Sequence, residues 1–197
     1  MRNLLSTKDQ RQLRLMETLI QHRDWLKLHQ LADKLGCTER ILKSDLNELR
    51  AAFPTIDIQS SINGIMIDLE VNTSVEDVYQ YFLAHSQSFQ LLEYLFFNEG
   101  LPIYRTIENL HSSNANLYRL GRNITKTLST QFQIELSFTP SEIRGNEIDI
   151  RYFFAQYFSE RYYFLDWPFP DLPEEDLTEF ADFFYKITNY PMRFSIY

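Results

Sequence analysis

Residues 27–53 read KLHQLADKLGCTERILKSDLNELRAAF, and this stretch decides the fold class. Apolar residues recur at helical spacing in both of its halves, which predicts two short helices that each bury one face. The inward positions are Leu28, Leu31, Ala32 and Leu35 in the first helix, and Leu42, Leu46, Leu49 and Phe53 in the second. Gly36 ends the first helix, Thr38 is placed to cap the second, and Pro54 stops it. Two short helices joined by a tight turn with glycine are typical of a helix-turn-helix.

The outward face of the second predicted helix carries small, polar and basic side chains. At 100° per residue from the buried line, these are Arg40, Ser44, Asn47 and Ala51, with Lys43 and Arg50 on the flank. Such side chains suit a helix that enters the major groove of DNA, whereas an ordinary surface helix more often carries glutamate there. The candidates for groove contact are Arg40, Lys43, Ser44 and Asn47. The alternative interpretation is a solvated face without a ligand.

A β-hairpin is predicted directly after this helix. Residues Ile56 and Ile58, and then Ile65, Ile67 and Leu69, alternate in two runs. Between them Asn63-Gly64 favours a tight turn, and a hairpin at this place is the wing of a winged helix. The first helix of the unit runs from Lys8 to His22, so residues 6–70 are predicted to form a winged helix-turn-helix domain. Asn63, at the tip of the wing, joins the candidates for DNA contact.

The same pattern returns 75 residues later, which predicts a second such domain over residues 71–148. The matching apolar positions are Ile103, Leu110, Leu117, Ile124 and Leu128, and Ser113 matches the cap Thr38. Two helices are predicted before it, one capped by Ser74 with Asp77 and one that buries Phe89, Leu92, Leu95 and Phe96. A shorter wing is expected around Pro140.

The second recognition helix is basic on its outward side. Arg119, Arg122 and Lys126 lie on one line, with Tyr118 and Asn123 beside it, and residues 113–131 contain no acid. Arginine can bind guanine or phosphate through two hydrogen bonds, while lysine acts as a point charge on the backbone. These five residues are therefore further DNA-contact candidates, and a solvated basic face is again the alternative.

Charge is distributed unevenly along the 197 residues, whose formal net charge is −8. Residues 1–53 hold ten Lys or Arg against seven Asp or Glu, whereas residues 152–197 hold three against eight. Positive charge thus accompanies the predicted DNA-binding surfaces. Cys37 is the single cysteine, so no internal disulfide can form, and this favours a reducing cytoplasm. We expect Cys37 to be half-buried beside the turn. No apolar stretch has the length of a membrane span or a signal peptide.

Residues 149–197 combine aromatic side chains with an acidic helix, predicted over Pro173 to Thr188. The aromatic residues are Tyr152, Phe153, Tyr157, Phe158, Tyr162, Phe164, Trp167 and Phe169. Their density indicates an interface with another domain or subunit rather than a DNA contact.

The chain resembles the Mga/AtxA-type virulence regulators of Gram-positive bacteria over essentially all of its length. The motifs that carry the resemblance are RQLRLMETLIQHRDWLKLHQLADKLGCTERILKSDLNELR from Arg11, SINGI from Ser61, FNEG from Phe97 and GNEIDIRYFFAQYFSERYYFLDWPF from Gly145. The resemblance implies two winged-helix domains followed by phosphotransferase-regulation domains. Residues 149–197 would be a helical linker or the start of the first of these regulatory domains. It also implies transcriptional activation by binding duplex DNA upstream of promoters, with modest base specificity and a preference for A/T-rich, bendable DNA. The aromatic residues of 149–197 additionally favour a homo-oligomer of the full-length protein. The phosphorylatable histidines of such domains have no match in His22, His29, His85 or His111.

Other classes of function receive less support from the sequence. A glycine-rich phosphate loop, a metal-ligand spacing and a nucleophile motif are all missing, so neither an enzyme nor a cofactor is expected. An antiterminator-like RNA-binding regulator is one alternative, although the β-rich module and stacking aromatic residues of such proteins are not recognisable. A winged-helix module that binds only protein is the other, and the basic recognition helices argue against it.

Overall fold

The computed structural model describes residues 1–22, 24–69, 74–162 and 167–189, and within them helices alternate with two small β-hairpins. A 3-10 turn (Arg2–Leu4) precedes α1 (Thr7–His22), α2 (Leu28–Leu35), α3 (Glu39–Ala52), β1 (Ile56–Ser61) and β2 (Gly64–Leu69). The pattern repeats as α4 (Val75–His85), α5 (Gln87–Phe97), α6 (Ile103–Asn109), α7 (Asn114–Leu128), β3 (Glu135–Phe138) and β4 (Ser141–Arg144). The last helices are α8 (Glu147–Arg161) and α9 (Glu174–Thr188). The predicted fold class, tandem winged helix-turn-helix domains followed by a helical segment, is confirmed.

The first helix-turn-helix forms as its caps predict. Gly36 has φ +64° in the left-handed region, and the N–H of Cys37 donates to the carbonyl of Ala32 at 3.0 Å. The Thr38 hydroxyl accepts from the N–H of Ile41 at 3.3 Å and caps α3. Cys37 is half-buried, and burial raises the pKa of its thiol. The domain core combines these helices with α1 through Leu13, Leu15, Met16, Leu19, Leu31, Leu42, Leu46 and Leu49.

The first hairpin turns one residue earlier than the sequence predicts. Ser61 pairs with Gly64, so Ile62 and Asn63 form the turn and Gly64 begins β2 with φ +132°. A Cβ atom at Gly64 would lie 2.1 Å from the carbonyl oxygen of Leu26. Leu26 runs beside the hairpin and exchanges two backbone hydrogen bonds with Ile65, at 2.9 and 2.8 Å. This extra strand segment explains why the glycine is needed in β2 rather than in the turn.

The second domain follows the first with one difference from the predicted core. Ser74 and Asp77 form the predicted capping box of α4, and the Ser113 hydroxyl caps α7 by accepting from the N–H of Asn116 at 3.2 Å. Phe96 was expected inside but is exposed, because the buried face of α5 is formed by Phe89, Leu91, Leu92 and Leu95. The second hairpin is short and turns at Thr139 and Pro140.

Both winged-helix domains belong to one compact unit, Met1–Ile150. Helix α1 packs against α4. Phe53 was expected in the core of the first domain, but it follows the end of α3 and is half-buried against α4, with its ring 4.5 Å from that of Tyr81 and 6.3 Å from that of Phe82. The guanidinium of Arg2 lies 5.1 Å from the ring centre of Tyr79. Aromatic contacts thus join the end of the first domain to the start of the second.

The second unit is Arg151–Tyr197, and it buries only part of its aromatic side chains. Phe153, Phe154, Tyr157 and Phe158 are buried, whereas Tyr152 is 59% exposed and α9 buries no residue. Phe164 lies outside the described residues. Among the helices that the structure describes, none is both long and apolar enough to cross a bilayer.

Candidate nucleic-acid interface

The predicted contact residues of α3 are all exposed, because Leu42, Leu46 and Leu49 hold the opposite side of the helix in the core. Lys43 and Asn47 line a groove of about 300 Å³ between α3 and the first hairpin. Arg40 and Ser44 are also exposed on α3, but they do not line this groove. A shallow groove with a cation and an amide on its helical wall can accept a phosphate or the edge of a base.

Arg50 connects α3 to the hairpin. Its Nε donates to the carbonyl of Ile58 at 2.9 Å, and its Nη2 donates to the hydroxyl of Ser60 at 2.5 Å. Its Nη1 donates to Oδ1 of Asn47 at 3.2 Å. The guanidinium therefore fixes the width of the groove and orients the Asn47 amide, whose nitrogen is a hydrogen-bond donor. Arg50 is a positioning residue of this surface.

The acidic residues in the middle of α3 are bound to α1. Asp45 is 1% exposed and accepts from Nε of Arg11 at 2.6 Å, Nη2 of Arg11 at 3.1 Å and Nε2 of Gln12 at 3.1 Å. The hydrogen bonds that Arg11 donates to Asp45 raise the pKa of Arg11. Glu48 pairs with Nζ of Lys8 at 2.5 Å, and hydrogen bonds from Lys8 and then Gln12 lower its pKa. These pairs offset the negative charge of α3 on the side away from the hairpin groove.

Asn63 lies at the tip of the first hairpin, beside Ile62. The side chain of Asn63 is exposed, and its backbone N–H donates to the hydroxyl of Ser61 at 3.0 Å. Nζ of Lys27 donates to the carbonyl of Ile62 at 3.2 Å, which brings a cation to the base of the tip. The turn therefore presents an amide and an aliphatic side chain, and the cation of Lys27 lies beside it.

Helix α7 presents its predicted residues on two sides. Tyr118, Arg122 and Lys126 line a groove of about 340 Å³ against the second hairpin, where the Tyr118 ring lies 5.2 Å from the ring of Phe138. The helix is held to β3 through the Thr125 hydroxyl, which accepts from the N–H of Leu136 at 3.0 Å. This second groove repeats the first, with two cations on its helical wall.

Arg119 and Asn123 are exposed but face a different cavity. It measures about 460 Å³ and lies between α7 and the beginnings of α1 and α5. Nη2 of Arg119 donates to Oδ1 of Asn116 at 2.6 Å. The predicted line of three cations on α7 is thus divided between the wing groove and this neighbouring cavity.

Sequence reasoning did not select Arg50, Lys27 or Ser60 for the site. Arg50 was visible only as a flanking cation, because its role depends on the register of β1 against α3. Lys27 precedes α2, and its contact with the tip requires the bridge between Leu26 and Ile65. Neither contact has a local sequence signal.

Family models match three successive parts of the chain. The M protein trans-acting positive regulator (MGA) HTH domain matches residues 6–65, and the Mga helix-turn-helix domain matches residues 71–158. The M protein trans-acting positive regulator (MGA) PRD domain matches residues 173–197. The first two matches contain α3 and α7, the helices that carry the candidate surface.

Two curated proteins are similar over most of this chain. A trans-acting regulator of Streptococcus pneumoniae serotype 4 is 46% identical over 195 residues, which are 99% of this chain and 40% of that protein. The capsule synthesis positive regulator AcpA of Bacillus anthracis is 26% identical over 179 residues, 88% of this chain and 36% of that protein. The chain thus spans at most about two fifths of the length of these relatives. The matched domains and relatives are those of transcriptional regulators and not of enzymes. Because models of the Mga family match residues 6–65, 71–158 and 173–197, the chain belongs to the Mga family of transcriptional regulators.

Proposed function

We propose that this chain binds duplex DNA upstream of promoters through both winged-helix domains. It would be the DNA-binding part of a cytoplasmic transcription activator. The observation that carries the proposal is the pair of hairpin grooves, each with cations on its helical wall: Lys43 and Arg50 in the first, Arg122 and Lys126 in the second. The pairing of Asp45 and Glu48 with α1 supports it, because those carboxylates are held by cations of their own.

The names of the relatives support activation. AcpA is called a positive regulator of capsule synthesis, and the matched models are named after a trans-acting positive regulator. We infer that residues 6–70 and 71–148 are the DNA-binding domains. Residues 149–197 then form a helical linker or the start of a phosphotransferase-regulation domain, through which a homo-oligomer of the longer protein would receive its signal.

Backbone contacts are expected to dominate over base contacts. Arg40 and Lys43 are exposed cations, so we assign them to phosphates, while Ser44, Asn47 and Asn63 are the candidates for base edges. As the family resemblance implies, we expect modest base specificity and a preference for A/T-rich, bendable duplexes. In a sequence-selection experiment, Arg40→Ala should weaken binding to all sequences alike, and a change in the preferred motif would contradict this assignment.

Salt dependence of DNA binding tests the proposal. Each phosphate contact contributes about 0.9 to the slope of log affinity against log salt concentration. Replacing Arg119, Arg122 and Lys126 by alanine should therefore reduce the slope by about two to three, with a corresponding loss of affinity. The measurement is fluorescence anisotropy on a genomic upstream fragment at several salt concentrations, with circular dichroism to verify folding.

A variant with the same change in net charge serves as the control. Arg14, Arg151 and Lys186 are exposed cations of α1, α8 and α9, outside both hairpin grooves. Their replacement by alanine should leave the slope near that of the wild type. Equal slopes for both triple variants would contradict a DNA-binding role for α7, and a preference for single-stranded RNA over the duplex would contradict the proposal as a whole.

A further inference from the structure

We propose that Ile62 is an apolar wedge, which the first hairpin inserts from the minor groove between two neighbouring base pairs. The inference rests on the proposed binding of duplex DNA and assigns a deforming residue to the same surface. Ile62 is 95% exposed, more than Ile148 at 75% and Ile187 at 67%. A large aliphatic side chain that stands free in water contributes nothing to the core.

Exposure alone is weak support, because single apolar residues are common on protein surfaces. What distinguishes Ile62 is the support around it. The carbonyl of Ile62 accepts from Lys27 at 3.2 Å, and Ser61 accepts from the next N–H at 3.0 Å. The hairpin beneath is bound on one side by Leu26 and on the other by Arg50. The turn is therefore a stiff projection and not a loose loop.

The position of the turn determines what it can reach. The hairpin forms the second wall of the groove lined by Lys43 and Asn47 of α3. With α3 in the major groove, which is about 12 Å wide, a hairpin beside the helix passes over one phosphate backbone to the adjacent minor groove. The residues of the turn, Ser61 to Gly64, carry no negative charge, and Lys27 supplies a positive charge for that backbone.

The chemistry of an isoleucine side chain then limits its role. It can neither donate nor accept a hydrogen bond, so it reads no base edge. Aliphatic side chains in the minor groove instead enter between base pairs and bend the duplex, and pyrimidine–purine steps such as TA unstack with the least free energy. Ile62 should therefore favour a flexible step at a fixed distance from the site of α3. The second hairpin turns at Thr139 and Pro140 and offers no aliphatic side chain of this length there.

Base unstacking can be followed with 2-aminopurine, whose fluorescence rises when its stacking is lost. The 197-residue chain first selects a preferred duplex from a random library. It is then bound to versions of that duplex that carry 2-aminopurine at successive positions. The wild type should raise the fluorescence at one step, and Ile62→Leu should retain this signal. Ile62→Ser should abolish it and lower the affinity about tenfold, the equivalent of losing the burial of one aliphatic side chain. The salt slope should not change, because no cation is removed.

Ile148→Ser is the matched control, since it removes another highly exposed isoleucine and should bind and unstack DNA like the wild type. Loss of the signal in Ile62→Ser together with its retention in Ile62→Leu supports the wedge, and any other pattern overturns it. Failure of the wild type to bind duplex DNA with a salt slope would overturn the proposed function as well. Normal binding without a step of raised fluorescence would overturn the wedge alone.

Discussion

Asp45 is a carboxylate in the interior of the first helix-turn-helix, and its partners determine whether α3 can keep its position. It is nearly inaccessible to water and receives three hydrogen bonds from Arg11 and Gln12. A buried charge of this kind requires its partners, because removal of one leaves the other unpaired at low dielectric. The net contribution of the Arg11–Asp45 pair to stability can be small. The pair nevertheless fixes the contact between α1 and α3, because any other packing of the two helices would leave a buried charge unpaired.

Asp45→Ala should lower the free energy of unfolding by about 3 kcal/mol, because it leaves the Arg11 guanidinium without its carboxylate. Urea denaturation measures the change. The control Asp68→Ala removes an exposed carboxylate of β2 and should alter stability by less than about 0.5 kcal/mol. A double variant with Arg11→Met and Asp45→Leu should recover most of the loss. Equal stabilities for Asp45→Ala and Asp68→Ala would contradict this account.

Glu48 makes part of the stability depend on pH. Its pKa in the folded protein is below the usual 4.5, chiefly because Lys8 and Gln12 donate hydrogen bonds to the ionised form. The stabilisation is therefore complete above about pH 4.5 and is lost as the pH falls through the lowered pKa. Since the pair is half-exposed, it contributes less than about 1 kcal/mol.

The difference in melting temperature between the wild type and Glu48→Gln tests this dependence. We expect the wild type to melt higher at pH 7, and the difference to be smaller at about pH 3, because the carboxylate becomes protonated as the pH falls through its lowered pKa. In a Lys8→Met background the difference at pH 7 should shrink, since the first partner of the carboxylate is gone. A difference that stayed constant between the two pH values would exclude Glu48 as its source.

At the scale of the elements, the first hairpin depends on a glycine for two reasons. Gly64 has φ +132°, and it lies against the backbone of Leu26. Gly36 also has a positive φ, but nothing lies within 4 Å of the place of its missing Cβ. A side chain at Gly36 would therefore face only the conformational cost of a positive φ, whereas a side chain at Gly64 would also clash with the backbone of Leu26.

Gly36→Ala should lower stability by about 1–2 kcal/mol, the free energy of placing an L-residue in the left-handed region. Gly64→Ala should lower it by clearly more, because the new methyl group would also force apart the pairing of Leu26 with Ile65. Urea denaturation of both variants gives the comparison, and protection of the Ile65 amide from hydrogen exchange reports on the bridge. If both substitutions had the same effect, contact with Leu26 would not limit this position.

Elements whose signals are local could be predicted from the sequence. The helices follow from apolar spacing and from signals at their ends: Gly36 ends α2, and Thr38, Ser74 and Ser113 cap α3, α4 and α7. The turn of the first hairpin was predicted one residue too late, because the Asn-Gly pair is a local signal for a turn, whereas the extra strand segment at Leu26 is a distant one. The same limit applies to the site: helical periodicity identified the exposed face of α3, but the contacts of Arg50 depend on long-range packing.

At the scale of the whole molecule, the aromatic residues of the second unit should stabilise the chain without affecting DNA. Phe158 is 8% exposed, and its ring lies 4.8 Å from that of Phe169. Trp167 is 38% exposed and lies 5.0 Å from the same ring, with its indole N–H donating to the carbonyl of Leu172. The sequence shows the density of aromatic residues here, but their division into buried and exposed members depends on tertiary packing.

Phe158→Ala should lower stability by about 3–5 kcal/mol, as expected for a buried aromatic residue, and Trp167→Ala should lower it by less, because its ring is partly in water. Calorimetry measures both changes. The affinity for DNA per folded molecule should stay that of the wild type. Tyr152→Ala is the control, since this ring is 59% exposed. Cross-linking of Trp167 to DNA would contradict the assignment, as would unchanged melting of both variants.

The aromatic contact between Phe53 and α4 has a consequence for the direction in which the protein would lie on a promoter. Because two winged-helix domains of different sequence share one compact unit, a single chain has a head and a tail along the duplex. Its binding site should therefore be asymmetric, not palindromic, and reversing that site should reverse the bound protein. An insertion of half a helical turn of DNA between the two half-sites should place them on opposite faces of the duplex. An insertion of a full turn should return them to the same face, but farther apart. We expect a regulator of this design to read the orientation of a promoter before any oligomer forms.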